Sequence, residues 1–166
     1  MKKTVEVFFD YACPYCLRAH TYLSALARRY PGIEILWRPC EAHPRPERYG
    51  PHSDLLIRGL FFAQAHGADV WAYHERMYSA ALTERLNIEN IDTVAQAASG
   101  LLDMDALAAA LRQGEYVNAL SEANGYAYEQ SDVWAVPAYR MKGRRLDAVE
   151  DVGITREMLE TFLCMD

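Results

Sequence analysis

Cys13 and Cys16 bracket the tetrapeptide Cys13-Pro14-Tyr15-Cys16, and no other residues in the chain are spaced so plainly for chemistry. Two cysteines three positions apart in the first turn of a helix can meet the Cα separation of about 4.4–6.8 Å that a disulfide requires. The first sulfur would also face backbone N–H groups without helical partners and the positive end of the helix dipole, both of which stabilise a thiolate. Cys13 is therefore the expected attacking thiol, acidic and exposed. Cys16, one turn inside and on the apolar face, is the expected resolving thiol, protonated and shielded until Cys13 has reacted. Pro14 suits the opening turn, because the N–H it lacks would have had no partner there. The alternative use of such a pair is metal binding. Zinc sites usually carry a second pair at matching spacing; here only His20 and Cys40 could supplement the first, and no metal site is expected.

This chemistry needs a strand to deliver Cys13 and a helix to hold Cys16. Thr4 to Phe9 is rich in β-branched and aromatic residues, and the Val7-Phe8-Phe9 run leaves no polar face, which predicts a strand buried on both sides and hence central in its sheet. From Pro14 to Tyr30, apolar residues recur at helical spacing until Pro31-Gly32 ends the pattern. Ile33, Ile35 and Trp37 alternate with Glu34, Leu36 and Arg38 as a second strand, so the start forms a βαβ unit with parallel strands. Arg38 to Pro51, with four prolines, is a loop. Helices follow, with Ser53, Asp69, Asn90 and Asp103 as candidate caps for Asp54–His66, Val70–Leu82, Ile91–Ser99 and a helix running through Leu111, and with a further helix over Glu115–Glu129. Ala138–Lys142 and Arg144–Val149 pattern as strands joined at Lys142-Gly143, and Thr155–Leu163 as a closing helix. The order gives three parts of one compact unit: residues 1–52 as βαβ, 53–131 as a helical insertion and 132–166 as ββα.

Composition narrows the partners. At 166 residues, with 51% hydrophobic and 24% charged residues, the chain suits one soluble domain. Its formal charge of −6 disfavours nucleic acid and anionic lipid, which the long-range field repels. Lys2 and Lys3 are not followed by the uninterrupted apolar stretch and cleavage site of a signal peptide, so a cytoplasmic location is expected, although a leader removed beforehand would leave no trace. Four unevenly spaced cysteines do not make a disulfide scaffold.

The Cys13–Cys16 pair at a βα junction, the helical block, and Val136-Pro137 ahead of a ββα ending together resemble the DsbA-like family of thioredoxin-fold proteins, over nearly the whole chain in element order. More narrowly, Phe9-Asp10-Tyr11-Ala12-Cys13-Pro14-Tyr15-Cys16 and Trp37-Arg38-Pro39 resemble the FrnE branch, related to 2-hydroxychromene-2-carboxylate isomerases and kappa-class glutathione transferases. The resemblance implies an α/β thioredoxin fold with an inserted helical domain. It also implies a thiol–disulfide oxidoreductase acting on protein or low-molecular-weight disulfides, with Pro137 cis and facing the sulfurs. Val136 would offer its backbone to a substrate, with Pro14 and Tyr15 beside it. Glutathione enters as a substrate or co-substrate, and no bound cofactor is needed. The partner would be a disulfide- or dithiol-containing protein or glutathione, and the oligomeric state is left open.

The departures are informative. Cys-Pro-Tyr-Cys is typical of glutaredoxins. The buried acid of several thioredoxin-fold enzymes would fall at Val7, which cannot hold a proton, so Asp10 is the nearest carboxylate, able either to order the turn or to relay a proton for Cys16. The isomerases and transferases usually carry serine at the position of Cys13, which argues against their chemistry. A glutathione-dependent isomerase or transferase and a non-enzymatic peptide- or metal-binding module remain the alternatives. His20, Cys40 and Cys164 are expected to be packed or incidental. Arg38, His43, Arg45, Arg48 and His52 form a solvated loop face that could attract a carboxylate, and Phe61, Phe62, Trp71, Tyr73 and Tyr78 are expected in the core.

Overall fold

The computed structural model describes residues 2–166. Strands β1 (Lys3–Phe9) and β2 (Ile33–Pro39) are parallel and joined by helix α1 (Pro14–Arg29); β3 (Ala138–Met141) and β4 (Arg144–Asp147) complete a sheet of order β2-β1-β3-β4. β1 is thus interior, and Val7, Phe8 and Phe9 are all buried. The sheet is mixed: β3 runs antiparallel to β1, with Phe8 opposite Ala138 and Glu6 opposite Arg140. That antiparallel course brings the start of β3, and with it Val136-Pro137, to the end of β1 from which the Cys13 turn departs. Lys142 and Gly143, both with positive φ (50° and 77°), make the tight turn between β3 and β4.

α1 buries Cys16, Ala19, His20, Leu23 and Leu26, the stripe that its spacing predicts. Five helices make up the insertion: α2 (Asp54–Ala65), α3 (Val70–Tyr78), α4 (Ile91–Ala97), α5 (Met104–Arg112) and α6 (Val117–Gly125); α7 (Arg156–Cys164) closes the chain. The side chains of Asp69, Asn90, Asp103 and Thr155 each accept a backbone N–H of the following turn, as N-caps do. Ser53 does not: its Oγ is buried without a partner, and it precedes α2 without capping it.

Two helical predictions are corrected in detail. The helix expected over Val70–Leu82 turns into a π-helical segment at Ser79–Thr83, and the one expected over Glu115–Glu129 starts only at Val117 and becomes π-helical at Tyr126–Gln130. Tyr116, in the left-handed region at φ 66°, prevents an earlier start. The wider turn at Tyr126–Gln130 is anchored from outside its own helix, since Tyr126 hydroxyl donates to Glu6 of β1 and Tyr128 hydroxyl to the carbonyl of Glu41. Among the described residues no helix is long and apolar enough to cross a membrane.

Candidate active site

The interior strand β1 ends at Phe9, and the chain must turn before α1 can start. Asp10 organises that turn. Its carboxylate accepts Ala12 N–H at 2.9 Å and, across to the loop after β2, Ala42 N–H at 2.7 Å, while its carbonyl accepts Cys13 N–H at 3.3 Å. Cys13 then serves as the N-cap of α1, in extended backbone conformation (φ −103°, ψ 115°), and its Sγ accepts the N–H of Cys16 at 3.2 Å. A sulfur thus occupies the position where serine or aspartate usually satisfies the open N–H groups of a helix.

The two thiols differ as their places require. Cys13 is half-buried, not exposed as expected, because it is packed beside the cleft wall at Val136, and Cys16 is 1% exposed; all four cysteines are free thiols. The Cys13 thiol is lowered from its ordinary range, chiefly by the hydrogen bond it receives from the Cys16 thiol and further by the N–H groups of Cys16 and Tyr15, against burial and the charge of Asp10. Burial pushes Cys16 well up, and donating to Cys13 pushes it further. Of this pair, Cys13 is the one that ionises first. Its Sγ also lies 3.8 Å from the carbonyl oxygen of Val136.

A cleft of about 400 Å³ opens over Cys13. Pro14, Tyr15 and Val136, three of the residues expected to contact substrate, line it with Asp10. The Val136-Pro137 bond is cis. Pro137 itself is buried beneath the lining, so Val136 is the member of that dipeptide that faces the cleft. Tyr15 is 37% exposed and lies against Gly153, where a Cβ would stand 2.6 Å from its ring.

Several lining residues carried no signal in the sequence. Trp134, 73% exposed, stands on the rim, and Tyr128 and Ala42 form part of the wall. A lone tryptophan in an irregular segment has no periodicity to mark it; only its closeness to Val136-Pro137 could have raised it. Cys40 is fully buried, its backbone N–H on Phe9 carbonyl at 2.9 Å, and burial pushes its thiol up to about 12. It is an inert neighbour of the site.

The cations of the proline-rich loop do not converge on Cys13. Arg45 pairs with Asp54 and Glu89, each at 2.7 Å, and Arg38 with Glu6 at 2.9 Å; only His43 of that group lines the cleft, and its imidazole meets Glu47 at 2.9 Å. His20 packs one turn below Cys16 in an aromatic box with Trp37, Trp71, Tyr78 and His74, where burial drops its imidazole to about 4. Among the described residues no group of three or more His, Cys, Asp or Glu side chains is placed to hold a metal ion.

Residues 4–162 match the family described as DSBA-like thioredoxin domain. The chain is 25% identical, over 81% of its length and 84% of the relative's, to the uncharacterized protein YwbO of Bacillus subtilis (strain 168). In fold it is similar to a probable DsbA oxidoreductase from Streptomyces coelicolor, with a TM-score of 0.79 at 17% identity over 97% of this chain and 88% of that one. It is similar also to a 2-hydroxychromene-2-carboxylate isomerase, with a TM-score of 0.74 at 16% identity over 96% and 92%.

Proposed function

Since the chain belongs to the DSBA-like thioredoxin domain family, we propose that it is a thiol–disulfide oxidoreductase in which Cys13 attacks and Cys16 resolves. The observation that carries this is the pairing of a half-buried N-cap sulfur, receiving the Cys16 N–H at 3.2 Å, with a fully shielded second thiol one turn behind it. In the reducing direction the Cys13 thiolate attacks one sulfur of a substrate disulfide and expels the other as a thiolate, leaving a mixed disulfide. Cys16 gives up its proton, attacks the Cys13 sulfur and releases the substrate as a dithiol; the electron pair of that dithiol comes from the two cysteines, which end as a disulfide. Run in reverse, the same steps oxidise a substrate dithiol.

The cleft favours a polypeptide over glutathione. Tyr15 and Trp134 both present apolar surface to the cleft that holds Cys13, and among the described lining residues none is Lys or Arg. Glutathione would bring carboxylates to a site whose lining charge is Asp10. An extended segment beside Val136 could bond to its backbone as an added strand does. The glutathione-dependent alternative rests on fold likeness to the isomerase and on the Cys-Pro-Tyr-Cys sequence.

Insulin-disulfide reduction tests the proposal. Cys13→Ser is expected to abolish it, by about a thousandfold or more given that the nucleophile is lost. Cys16→Ser is expected to accumulate mixed disulfides at Cys13, visible as mass additions to the intact protein. Equal capture by Cys13→Ser, through Cys40 or Cys164, would overturn the division of roles.

A further inference from the structure

Asp10 is 3% exposed, and among the described residues its carboxylate is held by two backbone N–H groups, with no cation paired to it. Buried aspartates are rare without a partner charge, because desolvating the carboxylate costs several kcal/mol. Closing a turn does not require that charge: asparagine or serine accepts an N–H in the same way at a lower desolvation cost. What aspartate adds over them is a fixed negative charge at the turn that carries Cys13. Asp10 lines the same cleft as Cys13 and holds the Cys13 N–H on its own carbonyl at 3.3 Å, and its charge disfavours a further negative charge on Tyr11, Cys13, Cys16, Cys40, Glu41 and Tyr128.

We propose that Asp10 is an electrostatic brake on the Cys13 thiolate, and that its buried charge poises the Cys13–Cys16 pair toward the reducing side. In the dithiol form Cys13 can carry a negative charge, stabilised by the helix N-terminus and opposed by Asp10. In the disulfide form neither sulfur is charged, so Asp10 has nothing to oppose. The carboxylate therefore raises the free energy of the dithiol alone, and the protein gives up its electrons more readily than it would with a neutral residue at position 10. Asp10 does this through Cys13, and the inference rests on the proposed redox role of the pair.

The exchange to measure is reduced protein plus oxidised glutathione giving disulfide protein plus two reduced glutathione molecules, in which electrons and protons balance. At a pH where Cys13 is ionised, Asp10→Asn is expected to shift this equilibrium about tenfold toward the dithiol protein, equivalent to ~30 mV for a two-electron couple. Cys13 should titrate about one pH unit lower in the variant, read from thiolate absorbance. Asp10→Glu, which keeps the charge, should return the equilibrium to within about twofold of the native protein. In acid, where Cys13 is a thiol in every variant, the equilibria should converge, whereas a purely structural effect would persist. A folded Asp10→Asn with both quantities unchanged, or Asp10→Glu behaving like Asp10→Asn, overturns the proposal; if Asp10→Asn does not fold, Asp10→Ser is read by the same criteria. Failure of the native protein to form a Cys13–Cys16 disulfide at all would instead strike the proposed function.

Discussion

Two clusters of titratable groups, the thiols at the cleft and the histidines of the aromatic box, behave in opposite ways. On the cleft side, the Cys13 sulfur is lowered even though it is half-buried, because a thiol and backbone N–H groups point at it. In the second cluster, His20 and His74 sit in a box of Trp37, Trp71, Tyr11 and Tyr78, where both Nε2 atoms are buried without partners and burial lowers both imidazoles. Among the described residues only the Tyr11 hydroxyl, 2.7 Å from His74 Nδ1, relieves that box. Burial by itself keeps groups neutral; an ionisable group becomes reactive where oriented donors outweigh burial. The helix N-terminus supplies such donors to Cys13, whereas among the described residues the Nε2 atoms of His20 and His74 have no partner.

The largest consequence of this difference is acid sensitivity. A histidine of the unfolded chain titrates near 6.5, whereas His20 in the fold titrates at about 4 and His74 well below its ordinary value. Above about pH 6.5 both states are neutral and the full stability is present. As pH falls below that, the unfolded chain binds protons that the fold refuses, so stability declines, by up to about 1.4 kcal/mol per pH unit for each histidine. Urea denaturation between pH 7 and 4 should show this slope, and His20→Phe, which fits an aromatic box, should reduce it by about one proton. An identical slope in His20→Phe would mean that the box does not hold the imidazole neutral.

A smaller effect tests how tightly the box is packed. Gly59 of α2 faces Tyr73, whose ring meets Tyr11 at 6.0 Å and whose hydroxyl donates to Leu56 carbonyl at 2.6 Å. A Cβ on Gly59 would stand 2.2 Å from that hydroxyl. Gly→Ala inside a helix ordinarily stabilises by about 1 kcal/mol, but here overpacking of about 1–3 kcal/mol and the displaced hydrogen bond reverse the sign. Gly59→Ala should therefore destabilise by about 1–3 kcal/mol, and in a Tyr73→Phe background, where the clashing oxygen is gone, the cost should shrink. Additive effects of the two substitutions would show that the contact does not govern the cost.

The two regions also differ in how far they could be foreseen. Signals confined to a few neighbouring residues carried through: Pro14 after Cys13 marks the start of α1, and Asp69, Asn90 and Asp103 cap the helices that they precede. The buried stripe of α1 follows from its period, and it includes His20 as a packed residue. Features decided by distant contacts did not show. The π-helical turn at Tyr126–Gln130 depends on Glu6 and the Glu41 carbonyl, and Ser53 looks like a cap but is turned into the interior. The cleft is the extreme case, since its walls come from the end of β1, the loop after β2, the end of the insertion and the approach to β3. Cys13 and Cys16 could be recognised because only Pro14 and Tyr15 separate them in sequence; Trp134 and Tyr128 reach them only through the fold.

The smallest expected effect separates the same residue type in the two regions. Trp37 and Trp71 meet edge to face at 4.9 Å inside the box, where they stabilise the fold through buried area and ring geometry. Trp134 is 73% exposed and packs against little, so its removal should change stability by no more than about 0.5 kcal/mol. Its place on the cleft rim gives it surface to offer a substrate, since an exposed aromatic beside a reactive group is what an apolar segment can cover. Trp134→Ala should accordingly raise KM about three- to tenfold for a disulfide peptide with apolar residues next to its cysteines, with kcat little changed, because binding and not the thiol chemistry is altered. A small neutral disulfide such as hydroxyethyl disulfide, too short to reach the rim, should react at the native rate. Equal losses on both substrates would assign Trp134 to the reacting thiols themselves, and no loss on either would leave the rim without a part in substrate choice.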